Sequence, residues 1–208
     1  MKNKKRILDL TFFLLSLSVL ILSIFKGYRK PFFSFYLFTR QVVLLINLTF
    51  LINLLFDWDN KYALFICALD SFMMMILYLK NENHHLLAQR THLEVFISVL
   101  EHYFLTTVFL FYYFLIDQTV LKLKHFYLGV IHLLVYLIAV LYLGHKYHSY
   151  PYDFLNPHHP FFLLKIGVLS SITIVVAILF LYVKEKKIRL VAMKSNYKIR
   201  KKKLLKRK

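Results

Sequence analysis

An all-α membrane bundle of six transmembrane helices is the fold that this sequence predicts, and three observations predict it. Hydrophobic residues make up 59% of the chain and aromatic residues 18%, with a mean hydropathy of +0.58, which is more apolar surface than a single soluble core of 208 residues can hide. Six stretches reach the roughly 20 mostly apolar residues that a helix needs to cross a hydrocarbon core of about 30 Å. These runs lack period-two alternation, and a helix satisfies every backbone group within its own segment, so helices are expected rather than strands.

The first segment, about residues 7–26, follows Lys2, Lys4, Lys5 and Arg6. That start resembles a signal peptide, but no small-residue cleavage site follows, so the segment is read as a retained helix. The second, about 34–56, places Thr39, Arg40, Asn47, Thr49 and Asn53 within about half of the helix circumference at about 100° per residue, so one face is expected to meet protein or water. Arg40, near the end of the span, is expected to snorkel to headgroups. The third, about 61–79, carries Asp70, the run Met73 to Met75 and the lone cysteine, Cys67, which is read as a small packing residue. In the fourth, about 92–116, Glu94, Ser98 and Glu101 recur at i, i+4 and i+7 with His102 beside them. Ionisable groups inside a membrane usually mark a site or a pathway, so this cluster draws attention first. The fifth, about 124–144, aligns His125, His132 and Tyr136 on one face, and the sixth covers about 161–183. Between these two, Tyr150, Pro151 and Tyr152 form a restricted stretch that is expected to fold over the bundle mouth as a substrate cap.

Lysine and arginine cluster at the N-terminus and in residues 184–208, which predicts that both termini are cytoplasmic. The chain accordingly divides into a six-helix domain, 1–183, and a basic cytoplasmic tail, 184–208, which carries most of the formal charge of +18 and is expected to touch anionic lipid headgroups. A nucleic-acid role is set aside, because Tyr197 alone interleaves those charges and stacking on bases needs more aromatic residues. Heavy use of Lys, Ile, Phe, Asn and Tyr with little Ala or Gly suggests an AT-rich genome and hence a bacterial plasma membrane. No metal is expected: the ten histidines lack i, i+4 pairing with nearby acid ligands, and His84, His85, His158 and His159 fall in loops. No cofactor is expected either, since there is no Gly-rich phosphate loop, no G-x-S-x-G elbow and no paired cysteine.

If both termini are cytoplasmic, the second and fourth helices enter from the outer side. At 1.5 Å per residue Thr39 then lies about 8 Å deep and His102 about 15 Å deep, so the two can share a level in the outer half of the bilayer.

Three motifs carry a family resemblance. Phe38, Thr39 and Gln41 in LFTRQ resemble the F-T-x-Q start of the second helix in the androgen-induced, FAR-17a-like family of integral membrane proteins. LEHYFLTTVFLF, which contains His102, is similar to that family's histidine motif, and YPYDFLNP, residues 150–157, to its outer loop. The motifs occur in order across roughly residues 7–183. Two positions depart from the pattern: Val42 and Val43 stand where Ser-Asn is usual, and Thr106 or Thr107 where a proline is. The resemblance implies a threonine hydrolase of fatty acid esters of hydroxy fatty acids, with Thr39 as nucleophile and His102 as its base. A neutral histidine within hydrogen-bond reach can take the hydroxyl proton and later return it to the leaving alkoxide. The supporting residues expected are Gln41 or Asn47 as oxyanion donors, Asp70 or His132 as the group that orients His102, and Glu101 on a neighbouring stripe. The partner implied is a membrane lipid entering laterally. The alternative is a small transporter or lipid-binding protein in which Glu94, Glu101, Asp70 and the histidines form a proton or cation path, though no internal repeat or broken helix supports it.

Overall fold

The computed structural model describes residues 2–26, 35–58, 60–81 and 91–205. Among these there is no strand. Six helices are long and apolar enough to span a bilayer: α1 (Lys2–Lys26), α2 (Phe38–Phe56), α3 (Lys61–Asn81), α4 (His92–Ile116), α5 (Leu128–Tyr147, after a 3₁₀ turn at Leu123–His125) and α6 (Phe162–Leu205). The protein is therefore an integral membrane bundle of the kind its composition predicts. His84 and His85 lie outside the described residues.

α3 is the central post. It touches α2, α4, α5 and α6, and Leu64, Phe65, Cys67, Ala68, Leu69, Asp70 and Ser71 are all buried. A helix that is covered all round must be apolar all round, which explains why its one carboxylate needs a partner. Met73 and Met74 are buried as well, so part of the methionine run fills the core. α1 lies along α2, and Phe12, Phe50, Phe109 and Tyr112 join α1, α2 and α4 in an aromatic cluster whose Phe12–Phe50 centroids are 4.9 Å apart. The outer faces of α5 and α6 stay apolar where they are exposed, at Leu134, Val135, Ile138, Leu164 and Val175, as a helix solvated by lipid requires.

The basic segment from residue 184 continues as helix, since α6 runs unbroken for 44 residues, about 66 Å at 1.5 Å per residue. Lys184 is buried beneath its neighbours: its ammonium pairs with the Asp117 carboxylate and lies 3.5 Å from the Tyr113 ring centroid. Arg40, in turn, does not snorkel. It is only 3% exposed, with Nη1 placed 2.8 Å from Oε1 of Glu101, and the Ser23 hydroxyl donates to the same carboxylate oxygen. Three helices, α1, α2 and α4, are thus tied at one buried carboxylate.

Deleting one member of such a pair strands the other charge in the bundle. Glu101→Leu is expected to lower stability by about 3–5 kcal/mol, seen as a fall in the melting temperature of the detergent-solubilised protein. The double variant Arg40→Leu/Glu101→Leu is expected to recover most of that loss, and a double variant as unstable as the single one counts against the pair as the clamp.

Candidate active site

α4 does not hold α-helical geometry throughout. Leu100–Phe104 forms a π-turn, closed by the Leu105 N–H donating to the Leu100 carbonyl, and a second π-turn spans Tyr112–Ile116. A π-turn accommodates an extra residue and usually has a functional reason. Here it contains both Glu101 and His102. The polar groups it loosens are taken up locally, since the Thr106 hydroxyl donates to the carbonyls of His102 and Tyr103.

Across this turn stands the start of α2. The Thr39 hydroxyl lies 3.1 Å from Nε2 of His102, and Arg40, the next residue, meets Glu101, the residue before His102. Two consecutive positions on each helix are therefore matched, hydroxyl to imidazole and guanidinium to carboxylate. The other ring nitrogen, Nδ1, is 2.9 Å from the Ser98 carbonyl oxygen. A carbonyl can only accept, so Nδ1 carries the proton and Nε2 presents its lone pair to Thr39. The Tyr78 ring stacks on the imidazole, with centroids 3.8 Å apart and planes 20° apart, which fixes the ring orientation. Thr39 is 5% exposed, so its hydroxyl is withdrawn from solvent and lipid alike.

The supporting residues fall elsewhere. Asp70 and His132 do not orient His102: they pair with each other, Oδ2 to Nδ1 at 2.6 Å, across α3 and α5, while the Ser98 carbonyl of α4 itself holds the imidazole. Asn47 is not available as an oxyanion donor, because its amide donates to the Phe13 carbonyl and the Ser16 hydroxyl and joins α2 to α1. Gln41 donates to the Phe35 carbonyl at 3.0 Å, closing the approach to α2. Glu94 is engaged within its own helix. With Thr91 it forms a capping box at the start of α4, a T-x-x-E signal present in the sequence. His125 leans on the 3₁₀ turn, with Nδ1 3.1 Å from the Lys122 carbonyl oxygen. Among the described residues no three metal-ligating side chains converge.

Over the pair lies the loop between α5 and α6. The Tyr36 hydroxyl donates to the Val140 carbonyl at 2.9 Å and contacts that of Ser149 at 3.2 Å, which anchors the loop's beginning. The Tyr150 ring lies against Gly144, where any Cβ would collide with it. Tyr152 stacks on Phe154, with centroids 5.5 Å apart, and its phenol lies close enough to the Thr39 side chain and the Phe38 backbone to interact with both. Burial pushes that phenol above its ordinary value, and the neighbouring Thr39 side chain and Phe38 backbone oppose the shift. Beside Tyr152 lies a small apolar cavity of about 30 Å³ between α3, α5 and α6, lined by Phe38, Leu77, Leu133, Leu137 and Leu169.

The fold and this arrangement define a polytopic helical membrane protein with a buried threonine–histidine hydrogen bond beneath a tyrosine-bearing loop. In comparisons with protein-family models, curated proteins and solved structures, nothing matches the chain.

Gly144→Val is expected to expel the Tyr150 ring and loosen the loop while the helices persist. Limited proteolysis within residues 148–161 should then accelerate several-fold with an unchanged far-UV circular dichroism spectrum, and an unchanged cleavage rate would show that the ring is not held there.

Proposed function

We propose that the protein is an intramembrane threonine hydrolase of long-chain lipid esters, with Thr39 as nucleophile and His102 as general base. The observation that carries this reading is the directed chain Ser98 carbonyl, His102 Nδ1–H, His102 Nε2 lone pair, Thr39 hydroxyl. It is the order of groups that activates a hydroxyl: an acceptor fixes the tautomer, and the free nitrogen takes the proton as Thr39 Oγ1 attacks. A backbone carbonyl replaces the carboxylate of a Ser-His-Asp triad, so the imidazolium is oriented but less strongly stabilised. A modest turnover follows. The order of the LFTRQ, LEHYFL and YPYDFL motifs, which resembles the FAR-17a-like family, agrees with the same assignment.

In this mechanism the ester carbonyl carbon bonds to Thr39 Oγ1 while His102 Nε2 accepts the hydroxyl proton. Collapse of the tetrahedral intermediate breaks the bond to the alcohol oxygen, which leaves with the proton from His102. Water, deprotonated by the same nitrogen, then attacks the acyl-threonine and releases the fatty acid. The cavity below Tyr152 has the apolar lining that an acyl chain requires; at about 30 Å³ it holds no chain as it stands, so α3, α5 and α6 must part to admit a substrate dissolved in the bilayer.

We place both termini in the cytoplasm of a bacterial plasma membrane, with the basic continuation of α6 against anionic headgroups. The site then faces the outer leaflet.

Purified protein in detergent is expected to hydrolyse p-nitrophenyl decanoate and to be labelled at Thr39 by a fluorophosphonate probe, with the site read by peptide mass spectrometry. Thr39→Ala and His102→Ala should each lower kcat by at least about 10³-fold at normal expression. Full turnover in either variant, or labelling at another hydroxyl, would remove the mechanism.

A further inference from the structure

Attack on an ester puts negative charge on the former carbonyl oxygen, and a hydrolase in a water-poor site needs a donor aimed at that position. The amides of Asn47 and Gln41 are turned to other carbonyls. Tyr152 is placed differently. Its hydroxyl lies beside the Thr39 side chain and the Phe38 backbone at the first turn of α2, and its ring lines the small cavity that begins beside Phe38. Stacking on Phe154 and the adjoining Pro151 hold it there. The same turn is electropositive. Leu37 supplies no side-chain cap, and the first N–H groups of a helix have no intrahelical acceptor.

We propose that Tyr152 is the oxyanion donor of the site: its O–H, beside Thr39 in the free protein, turns to the substrate oxygen when Thr39 Oγ1 bonds to the carbonyl carbon. The inference rests on the threonine-hydrolase reading and assigns a catalytic role to a loop residue otherwise read as a cap. No proton changes hands at this group. The Thr39 proton goes to His102 Nε2, the tetrahedral oxygen carries the charge and accepts from Tyr152, and on collapse the charge leaves with the alcohol oxygen, which takes the His102 proton. Because burial raises the phenol's pKa, Tyr152 stays protonated and able to donate through neutral and mildly alkaline pH.

The test compares the full-length wild type, Tyr152→Phe and Thr39→Ala in detergent with p-nitrophenyl decanoate, and adds inhibition by a long-chain trifluoromethyl ketone, which forms a tetrahedral adduct, and by the matching methyl ketone, which does not. Phenylalanine keeps the ring and deletes only the donor. The expected result for Tyr152→Phe is a fall in kcat of about 10²–10³-fold, KM within about threefold, an unchanged melting temperature, and affinity lost for the trifluoromethyl ketone alone. Wild-type kcat in Tyr152→Phe overturns the proposal. So does a fall accompanied by a raised KM, a lowered melting temperature and equal weakening of both ketones, which describes a structural cap. If wild type and Thr39→Ala hydrolyse the ester at the same background rate, the hydrolase reading itself fails and the role of Tyr152 fails with it.

Discussion

The buried ion pair between Arg40 and Glu101 is the constraint around which the bundle is arranged. Removing either charge from water costs several kcal/mol after relaxation, and within a hydrocarbon slab the alternatives to mutual pairing are few. The pair is close at 2.8 Å yet imperfectly aligned, since neither Nε nor Nη1 of Arg40 finds an acceptor in hydrogen-bond geometry among the described residues. Its value is therefore register more than net stability. α2 and α4 can slide or rotate past one another at little cost to their leucines and phenylalanines, but only one register joins the two charges. Thr39 precedes Arg40 and His102 follows Glu101, so the register that satisfies the charges also brings hydroxyl and imidazole together.

On α2 the long reach of Arg40 lets a regular helix present two consecutive residues, whereas the shorter side chains of α4 leave less latitude. Consecutive residues on an α-helix diverge by about 100°, which would turn His102 away whenever Glu101 faced α2. The π-turn at Leu100–Phe104 widens the helix where both are needed. The distortion is contained, because Thr106 accommodates two carbonyls and the imidazole takes up the Ser98 carbonyl. Local irregularity in α4 is thus the means by which two adjacent side chains engage one neighbouring helix.

Much of this was legible in the chain. Apolar runs separated by short polar stretches are a direct consequence of lipid as solvent, and they give the six helices. The polar face of α2 was legible for the same reason: Thr39, Arg40, Asn47, Thr49 and Asn53 are all buried. What the sequence does not display is partner choice. Asn47, Gln41, Asp70 and His132 suit the site by their chemistry, but a polar side chain in a bundle joins whichever unsatisfied group lies nearest, and theirs belong to α1, the approach to α2, and each other. The π-turn has no local signature at all. Glu94 is the opposite case, where T-x-x-E spelled a helix cap and the i, i+4, i+7 spacing with Ser98 and Glu101 obscured it.

The same partner choices bear on the class of function. A proton or cation path needs a succession of ionisable groups free to change charge or ligand as the ion passes. In this bundle Glu101 is held by Arg40 and Ser23, Asp70 by His132, Asp117 by Lys184, and Glu94 caps α4. Each is committed to a static contact, and moving an ion past Glu101, Asp70 and Asp117 means breaking buried pairs in turn at several kcal/mol each. The threonine–histidine pair carries no such burden, because it is neutral at rest. In the proposed reaction charge appears only while a substrate is bound, on an imidazole whose Nδ1–H is already placed and on an oxygen beside the first turn of α2. A low dielectric strengthens those fixed dipoles at the moment they are needed, which is why the lipid interior favours a proposed hydrolase over a conduit here.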